Sequence, residues 1–300
     1  MSKQTGRTCP LHYRYGAEAI ARLPTVEAET LYVIGGLYGN LPALDAIEAI
    51  AAQEAGPVTL VFNGDFNWFN VDDAGFAEIN RRVLAHHAIV GNVEAELGVD
   101  GNAAGCGCAY PEHVDSGVVE RSNRIHARLK ATAARHPEIL AALAELPMIA
   151  RYRVADCRVG IVHGDADSLA GWRFDPGTLD RENASGWLQN AFEHAMVDVF
   201  ASTHTCTPVL KRIGDCLLSN NGAAGMPNQG GRQSGLLTRI SRHPPSQALL
   251  GGEVVRGAHV ILIHYNHAAW KDCFLANWPA GSDAWLSYFE RIASWSGEPQ

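Results

Sequence analysis

The stretch Val61-Phe62-Asn63-Gly64-Asp65 limits what this chain can fold into more than any other. An apolar run of strand length stops at a glycine and at once presents a carboxylate. A buried strand that ends this way delivers an acid to a sheet edge on a rigid support. Three further stretches repeat the pattern. Ala88-Ile89-Val90 runs into Gly91-Asn92, Val159-Gly160-Ile161-Val162 into His163-Gly164-Asp165, and Val197-Asp198-Val199-Phe200-Ala201 into Ser202-Thr203-His204. Asp65, Asn92, His163 and His204 are thereby placed at four strand ends. Oxygen and imidazole donors gathered at one sheet edge suit a divalent metal, and open α/β sheets bind ligands beyond the carboxyl ends of their strands.

The rest of the chain alternates around these strands. A short helix is predicted over 17–23, a strand over 30–34, and a helix over 41–52 capped by Asn40 with Pro42 in its first turn. A further helix is expected over 73–86, so the strands of this part should pair in parallel. The Gly- and Cys-rich stretch from 98 reads as an inserted loop, with helices over 118–134 and 137–146 behind it. A hairpin over 149–154 and 157–162, a helix over 187–195, a second hairpin over 209–213 and 216–219, and strands over 235–240 and 260–265 make a second half expected to be largely antiparallel. An amphipathic helix over 283–295 closes the chain. The expected organisation is a single domain over 1–300, with an N-terminal extension 1–29, an inserted Cys-loop and helix 98–135, and a C-terminal extension 244–300.

Composition excludes some roles. A formal net charge of −8 over 300 residues does not suit a surface that neutralises nucleic-acid phosphates or anionic lipid, so neither partner is expected. No apolar run reaches the length of a membrane span, and residues 1–7 lack a signal-peptide apolar region, so a cytoplasmic protein is expected. Seven cysteines, an odd number spread through a large chain, suit free or metal-binding thiols better than a disulfide framework. Only Cys106-Gly107-Cys108 is clustered.

The order of motifs resembles the calcineurin-like metallophosphoesterases, in particular their small bacterial branch. That branch carries the loop pattern Asp-x-His-Gly-Asn, Gly-Asp, Gly-Asn, His-Gly and Gly-His-x-His. The resemblance runs from about Leu31 to Ile240 and includes Gly39-Asn40-Leu41-Pro42-Ala43-Leu44, Leu146-Pro147, and the loop from Asn220 to Pro227. It implies a four-layer α/β/β/α sandwich of two mixed sheets. It also implies that Asp65, Asn92, His163 and His204 match one complete metal site. The other site of the family is degenerate here: Gly36 and Tyr38 stand at the positions of its first Asp and His, and Cys206 at that of its last His. Val93 occupies the place of a His often assigned as general acid.

The resemblance implies a metal-dependent phosphoester hydrolase with a remodelled or single-metal site, taking a phosphorylated small molecule and using Mn, Fe or Zn. Two metals would clamp a phosphoryl group symmetrically, and one gives up that clamp. Asp165, Asp167 and Glu94 are candidate acids behind the ligands, and Arg173 and Arg232 candidate phosphate partners. Cys206, Cys106 and Cys108 offer an alternative set of soft ligands if their thiols converge, which would favour zinc or iron over magnesium. Their bland reading is a small buried residue and an inert loop. Tyr38 then simply fills the space of a lost ligand, and Trp68, Phe69, Trp270, Trp278 and Trp285 belong to the core or an interface. A catalytically inactive metal- or ligand-binding protein on the same fold is the competing reading, because the departures all lie on the reacting side.

Overall fold

In a computed structural model the described residues are 5–101, 103–181, 184–228, 234–247, 249 and 255–293. Strands β1 (Val26–Ala28), β2 (Thr30–Ile34), β3 (Val58–Asn63), β4 (His87–Ile89), β5 (Ile149–Val154), β6 (Cys157–Val162), β7 (Val199–Ser202), β8 (Val209–Ile213), β9 (Cys216–Asn220), β10 (Gly235–Ser241) and β11 (Ala258–Ile263) form two sheets. One has the order β1-β5-β6-β7-β9-β8 and the other β11-β10-β2-β3-β4.

Strand alternation builds the layers. Leu31 and Val33 of β2 face the same core as Val159 and Ile161 of β6 and Val199 and Ala201 of β7, which fills the space between the sheets. Tyr32 and Ile34, one residue out of phase, face outward with Leu60 and Phe62 into the helices on that side. Those helices are α2 (Leu41–Ala51), α3 (Asp73–Val83), α4 (Asn92–Ala95), α5 (Ser116–Ala133), α6 (Pro137–Ala144), α9 (His267–Asn277) and α10 (Asp283–Ala293). On the far face of the other sheet lie α1 (Ala17–Arg22), α7 (Pro176–Leu179) and α8 (Ala184–Ala195), packed through Ile20, Leu188 and Phe192 onto Phe200. The architecture is the expected four-layer α/β/β/α sandwich.

β2, β3 and β4 are parallel neighbours, as the strand-helix alternation predicts. The second half is largely antiparallel, through β5–β6, β8–β9, β10–β11 and β10–β2, but β6, β7 and β9 are parallel to one another, which was not foreseen. The segment between β6 and β7 carries α7 and α8 and is long enough for a right-handed crossover. One consequence is decisive for the site. The carboxyl ends of β3, β4, β6 and β7 emerge at one end of the sandwich, where Asn63 Nδ2 donates to Ala201 O across the two sheets.

The N-terminal segment packs onto this end, with Tyr13 buried and its backbone carbonyl accepting from Leu169 N. Inserted helix α5 is tied to C-terminal helix α10 by Arg124 to Asp283 and Arg121 to Ser287. Elements not foreseen include the short helices α4 and α7, β1, a three-residue edge strand beside β5, and α9, which buries only Trp270 and Phe274. Among the described residues no helix is long and apolar enough to cross a membrane.

Candidate metal centre

Backbone geometry at the strand ends precedes the side chains. Gly64 has φ +74°, and a Cβ there would lie 2.4 Å from Gly91 Cα, while a Cβ on Gly91 would lie 2.3 Å from Asp65 Oδ1. The glycines of the two motifs let the β3 and β4 loops touch. Asp65 itself has φ +53°, a left-handed conformation that costs a side-chain-bearing residue about 1–2 kcal/mol. Glu94, from the first turn of α4, holds it there by accepting from Asp65 N at 2.8 Å and Asn67 N at 3.1 Å. Tyr38 and Cys206, at two neighbouring loops, also have positive φ (56° and 55°). Strain of this kind clusters at functional sites.

Four donor atoms then meet. His163 Nε2 lies 3.0 Å from Asn92 Oδ1, 3.4 Å from Asp65 Oδ2 and 3.2 Å from His204 Nδ1. In each side chain the other polar atom is committed elsewhere. Asp65 Oδ1 accepts from Val93 N, Asn92 Nδ2 donates to Cys106 O, His163 Nδ1 donates to Asn63 O, and His204 Nε2 donates to Cys108 O. Those partners fix both imidazole tautomers, so that four acceptor lone pairs face one point. Donors bonded to one ion at about 2.1 Å are separated by roughly 3.0–3.4 Å in octahedral or tetrahedral geometry, which the three separations from His163 Nε2 match. A divalent metal fits this donor set.

Burial opposes ionisation of Asp65, but the charge and hydrogen bond of His163 outweigh it and hold the carboxyl below its usual range. Burial pushes His204 down to about 3, so its imidazole is neutral at pH 7. For His163, burial is outweighed by Asp65, and its pKa is raised. Burial and then the Asp65 charge push Glu94 up to about 7.

At the positions that the sequence resemblance assigns to a second half-site stand other atoms. The Tyr38 ring occupies the space that a side chain on Gly36 would need, with Cζ and Oη 2.8 Å from a Cβ built there. Its hydroxyl lies 2.8 Å from Cys206 Sγ. From the C-terminal helix, Arg291 donates to the Cys206 carbonyl at 3.2 Å and to Pro227 O. Val93 is buried, lines the cavity over the donors, and donates its backbone N–H to Asp65.

The cysteine loop does fold over the metal edge, but not as a set of soft ligands. Cys106 and Cys108 are paired as a disulfide, contrary to the expectation of free thiols, because the tight turn at Gly107 brings the two side chains together. Among the described residues the one group of three or more His, Cys, Asp or Glu donors within 4.8 Å of one another is Asp65, His163 and His204. Cys206 is outside it, bonded to Tyr38. The loop serves the ligands through its carbonyls instead, Cys106 O and Cys108 O fixing Asn92 and His204.

Of the other sequence expectations, Glu94 does stand behind a ligand, whereas Asp165 braces its own loop by accepting from Asp167, Ser168 and Arg173 backbone N–H groups. Arg173 turns to Asp167, and Arg232 lies outside the described residues. Phe69, Trp270 and Trp278 are core, while Trp68 lines the cavity over the donors. Sequence reasoning missed Tyr110, Val118, Trp172 and Tyr288, which also line it. They come from the insertion, the β6–β7 crossover and the C-terminal helix, and no local pattern signals their meeting.

Solved structures share this fold, two of them over nearly their whole length. A metallophosphoesterase from Sphaerobacter thermophilus aligns with a TM-score of 0.54 at 16% identity, over 89% of this chain and 99% of that one. A hypothetical protein from Pyrococcus horikoshii OT3 aligns with a TM-score of 0.55 at 14% identity, over 86% and 97%. At this identity the likeness is one of fold. No protein-family model matches the chain, and no curated protein is similar to it in sequence.

Proposed function

We propose that this protein is a metal-dependent phosphoester hydrolase working with one divalent ion, held by Asp65, Asn92, His163 and His204. The observation that carries the reading is the convergence of Asp65 Oδ2, Asn92 Oδ1 and His204 Nδ1 on His163 Nε2, each in a side chain whose other polar atom is anchored elsewhere. When bound, the ion supplies Lewis-acid polarisation of a phosphoryl oxygen and lowers the pKa of water. The chain supplies the rest. Glu94 keeps Asp65 in its strained conformation, the Cys106 and Cys108 carbonyls orient Asn92 and His204, and the aromatic walls limit water. The likeness in fold to the Sphaerobacter metallophosphoesterase supports the reaction class.

The filled half-site argues for weak turnover of simple phosphomonoesters. Loss of one oriented electrostatic partner costs on the order of 10² to 10³ in rate, and Val93 itself offers no proton to a leaving group. The test is hydrolysis of aryl phosphate esters by purified protein supplied with Mn²⁺. His163→Ala should lose the metal and the turnover while keeping the folded circular-dichroism signature. Turnover unchanged in that variant would exclude the assignment. A second reading rests on the Tyr38 and Cys206 contact, which closes the reacting side as in a binding protein: metal retention with no hydrolysis of any ester would select it.

A further inference from the structure

Cys106, Gly107 and Cys108 close a small ring through the bond between their sulfurs. A crosslink contributes to global stability mainly by constraining the unfolded chain, and that contribution grows with the length of chain it encloses. This one joins residues two apart and encloses almost nothing, so what it holds is the local path of the backbone. That path is otherwise unfavourable. Gly105, Gly107 and Ala109 have φ of +63°, +69° and +49°, three left-handed residues in alternation, and at Ala109 the side chain opposes the conformation.

The backbone so fixed orients two of the four donors. Cys106 O accepts from Asn92 Nδ2 at 2.9 Å, and Cys108 O accepts from His204 Nε2 at 3.1 Å and from Trp172 Nε1 at 2.9 Å. The Trp172 ring lies edge-on to His204 with its centre 5.2 Å away, so one carbonyl sets both the imidazole and the ring against it. Cys106 is anchored besides to α5, its N–H donating to Asn123 Oδ1 at 3.1 Å. The bond between the sulfurs carries that anchorage to Cys108. The two sulfur-bearing residues differ in access: Cys108 lines the cavity above the donors, whereas Cys106 has no exposed surface.

Resting on the metal centre proposed above, we propose that this disulfide is a redox site through which small thiol compounds set how tightly the centre holds its ion. In the oxidised protein the ring presents both carbonyls to Asn92 and His204. A thiolate of a low-molecular-weight dithiol entering the cavity attacks Cys108 Sγ, the sulfur–sulfur bond breaks, and Cys106 Sγ leaves with the electron pair. The second thiol of the reagent attacks the reagent sulfur of the mixed disulfide, which closes the reagent's own disulfide and releases Cys108 Sγ. Two electrons pass from dithiol to protein, and the two protons of the dithiol end on the two cysteines. Each thiol then needs its van der Waals distance from the other, Ala109 can leave the left-handed region, and the Cys108 carbonyl turns away from His204 and Trp172. A low-molecular-weight disulfide reverses both exchanges. Loss of a group that orients a ligand weakens metal binding about 10- to 100-fold.

Calorimetric titration of the full chain with Mn²⁺, before reduction and after treatment with dithiothreitol and its anaerobic removal, reads the difference. The oxidised protein should bind about 10- to 100-fold more tightly, and glutathione disulfide should restore its affinity. Alkylation under denaturing conditions, counted by mass spectrometry, should label five of the seven cysteines before reduction and all seven after. Linkage requires the reciprocal effect: saturating Mn²⁺ should raise the ratio of reduced to oxidised dithiothreitol at half reduction by the same factor. The double variant Cys106→Ser, Cys108→Ser should bind Mn²⁺ as weakly as the reduced protein and ignore the reagent. Cys206→Ser should keep the difference, which separates the ring from the free thiol that also lines the cavity. Affinities within threefold of each other in the two states of the native chain, seven labelled cysteines before reduction, or a difference that survives in the double variant would overturn the proposal and leave the metal centre standing. No Mn²⁺ binding in either state would remove the metal centre and this redox control with it.

Discussion

Replacing Gly36 by aspartate tests whether Tyr38 has taken over the second half-site. A Cβ at Gly36 would lie 2.8 Å from Tyr38 Cζ and Oη, and φ there is +64°. The left-handed backbone costs a non-glycine residue about 1–2 kcal/mol, and forcing atoms into packed space costs about 1–3 kcal/mol more. Gly36→Asp alone should therefore destabilise by about 2–5 kcal/mol. Tyr38→His removes the atoms in the way and, because Tyr38 is buried, should cost about 2 kcal/mol by itself. Combined, the two should cost less than their sum by about 1–3 kcal/mol, since the overlap is then absent. Urea unfolding midpoints of the four proteins give the coupling directly. Adding Cys206→His completes the ligand set, and the triple variant should hold a second metal and hydrolyse phosphomonoesters about 10²- to 10³-fold faster than the parent. Additivity within about 0.5 kcal/mol would refute the claim that Tyr38 fills the ligand's space.

Other outcomes follow from single contacts. Glu94→Gln keeps the shape but replaces one acceptor oxygen beneath Asp65 and Asn67 with an amide donor; metal affinity should fall about 10- to 100-fold, read by competition with a chromogenic chelator. Glu54 and Arg239 form a bidentate pair at 2.6 and 2.8 Å with side chains only 5% and 0% exposed, and the Arg239 hydrogen bond, against burial, lowers the Glu54 pKa below 4.5. A depressed carboxylate contributes stability that is fully present above 4.5 and is lost as the pH falls through the folded value. Acid titration of unfolding free energy should show that loss, and Glu54→Gln should remove it while costing about 3 kcal/mol or more at pH 7, because Arg239 is left buried without its partner.

Much of this was legible in the chain because strand ends are local. Gly64-Asp65, Gly91-Asn92, His163-Gly164 and Ser202-Thr203-His204 announce themselves by an apolar run that stops, and the four donors do converge. Tyr38 as a filler of lost space came from the resemblance of the motifs, and its ring does lie against Gly36. What was not legible depends on tertiary approach. The parallel run of β6, β7 and β9 is set by a crossover whose helices look like those of any hairpin-flanking segment. Strand β1 is too short for periodicity to register, and α9 spreads its apolar residues around its circumference. Free thiols at Cys106 and Cys108 were the expectation from an odd cysteine count, but the turn at Gly107 pairs them. The aromatic walls draw on Trp68, Tyr110, Trp172 and Tyr288, more than two hundred positions of sequence brought over one sheet edge.

The most direct measurement is an anomalous-difference map from crystals of the protein grown with Mn²⁺, recorded at a wavelength where manganese scatters strongly. One peak per chain is expected, within about 2.3 Å of Asp65 Oδ2, Asn92 Oδ1, His163 Nε2 and His204 Nδ1, and none beside Tyr38 and Cys206. No peak at the four donors would contradict it, and so would a second peak between Gly36 and Cys206.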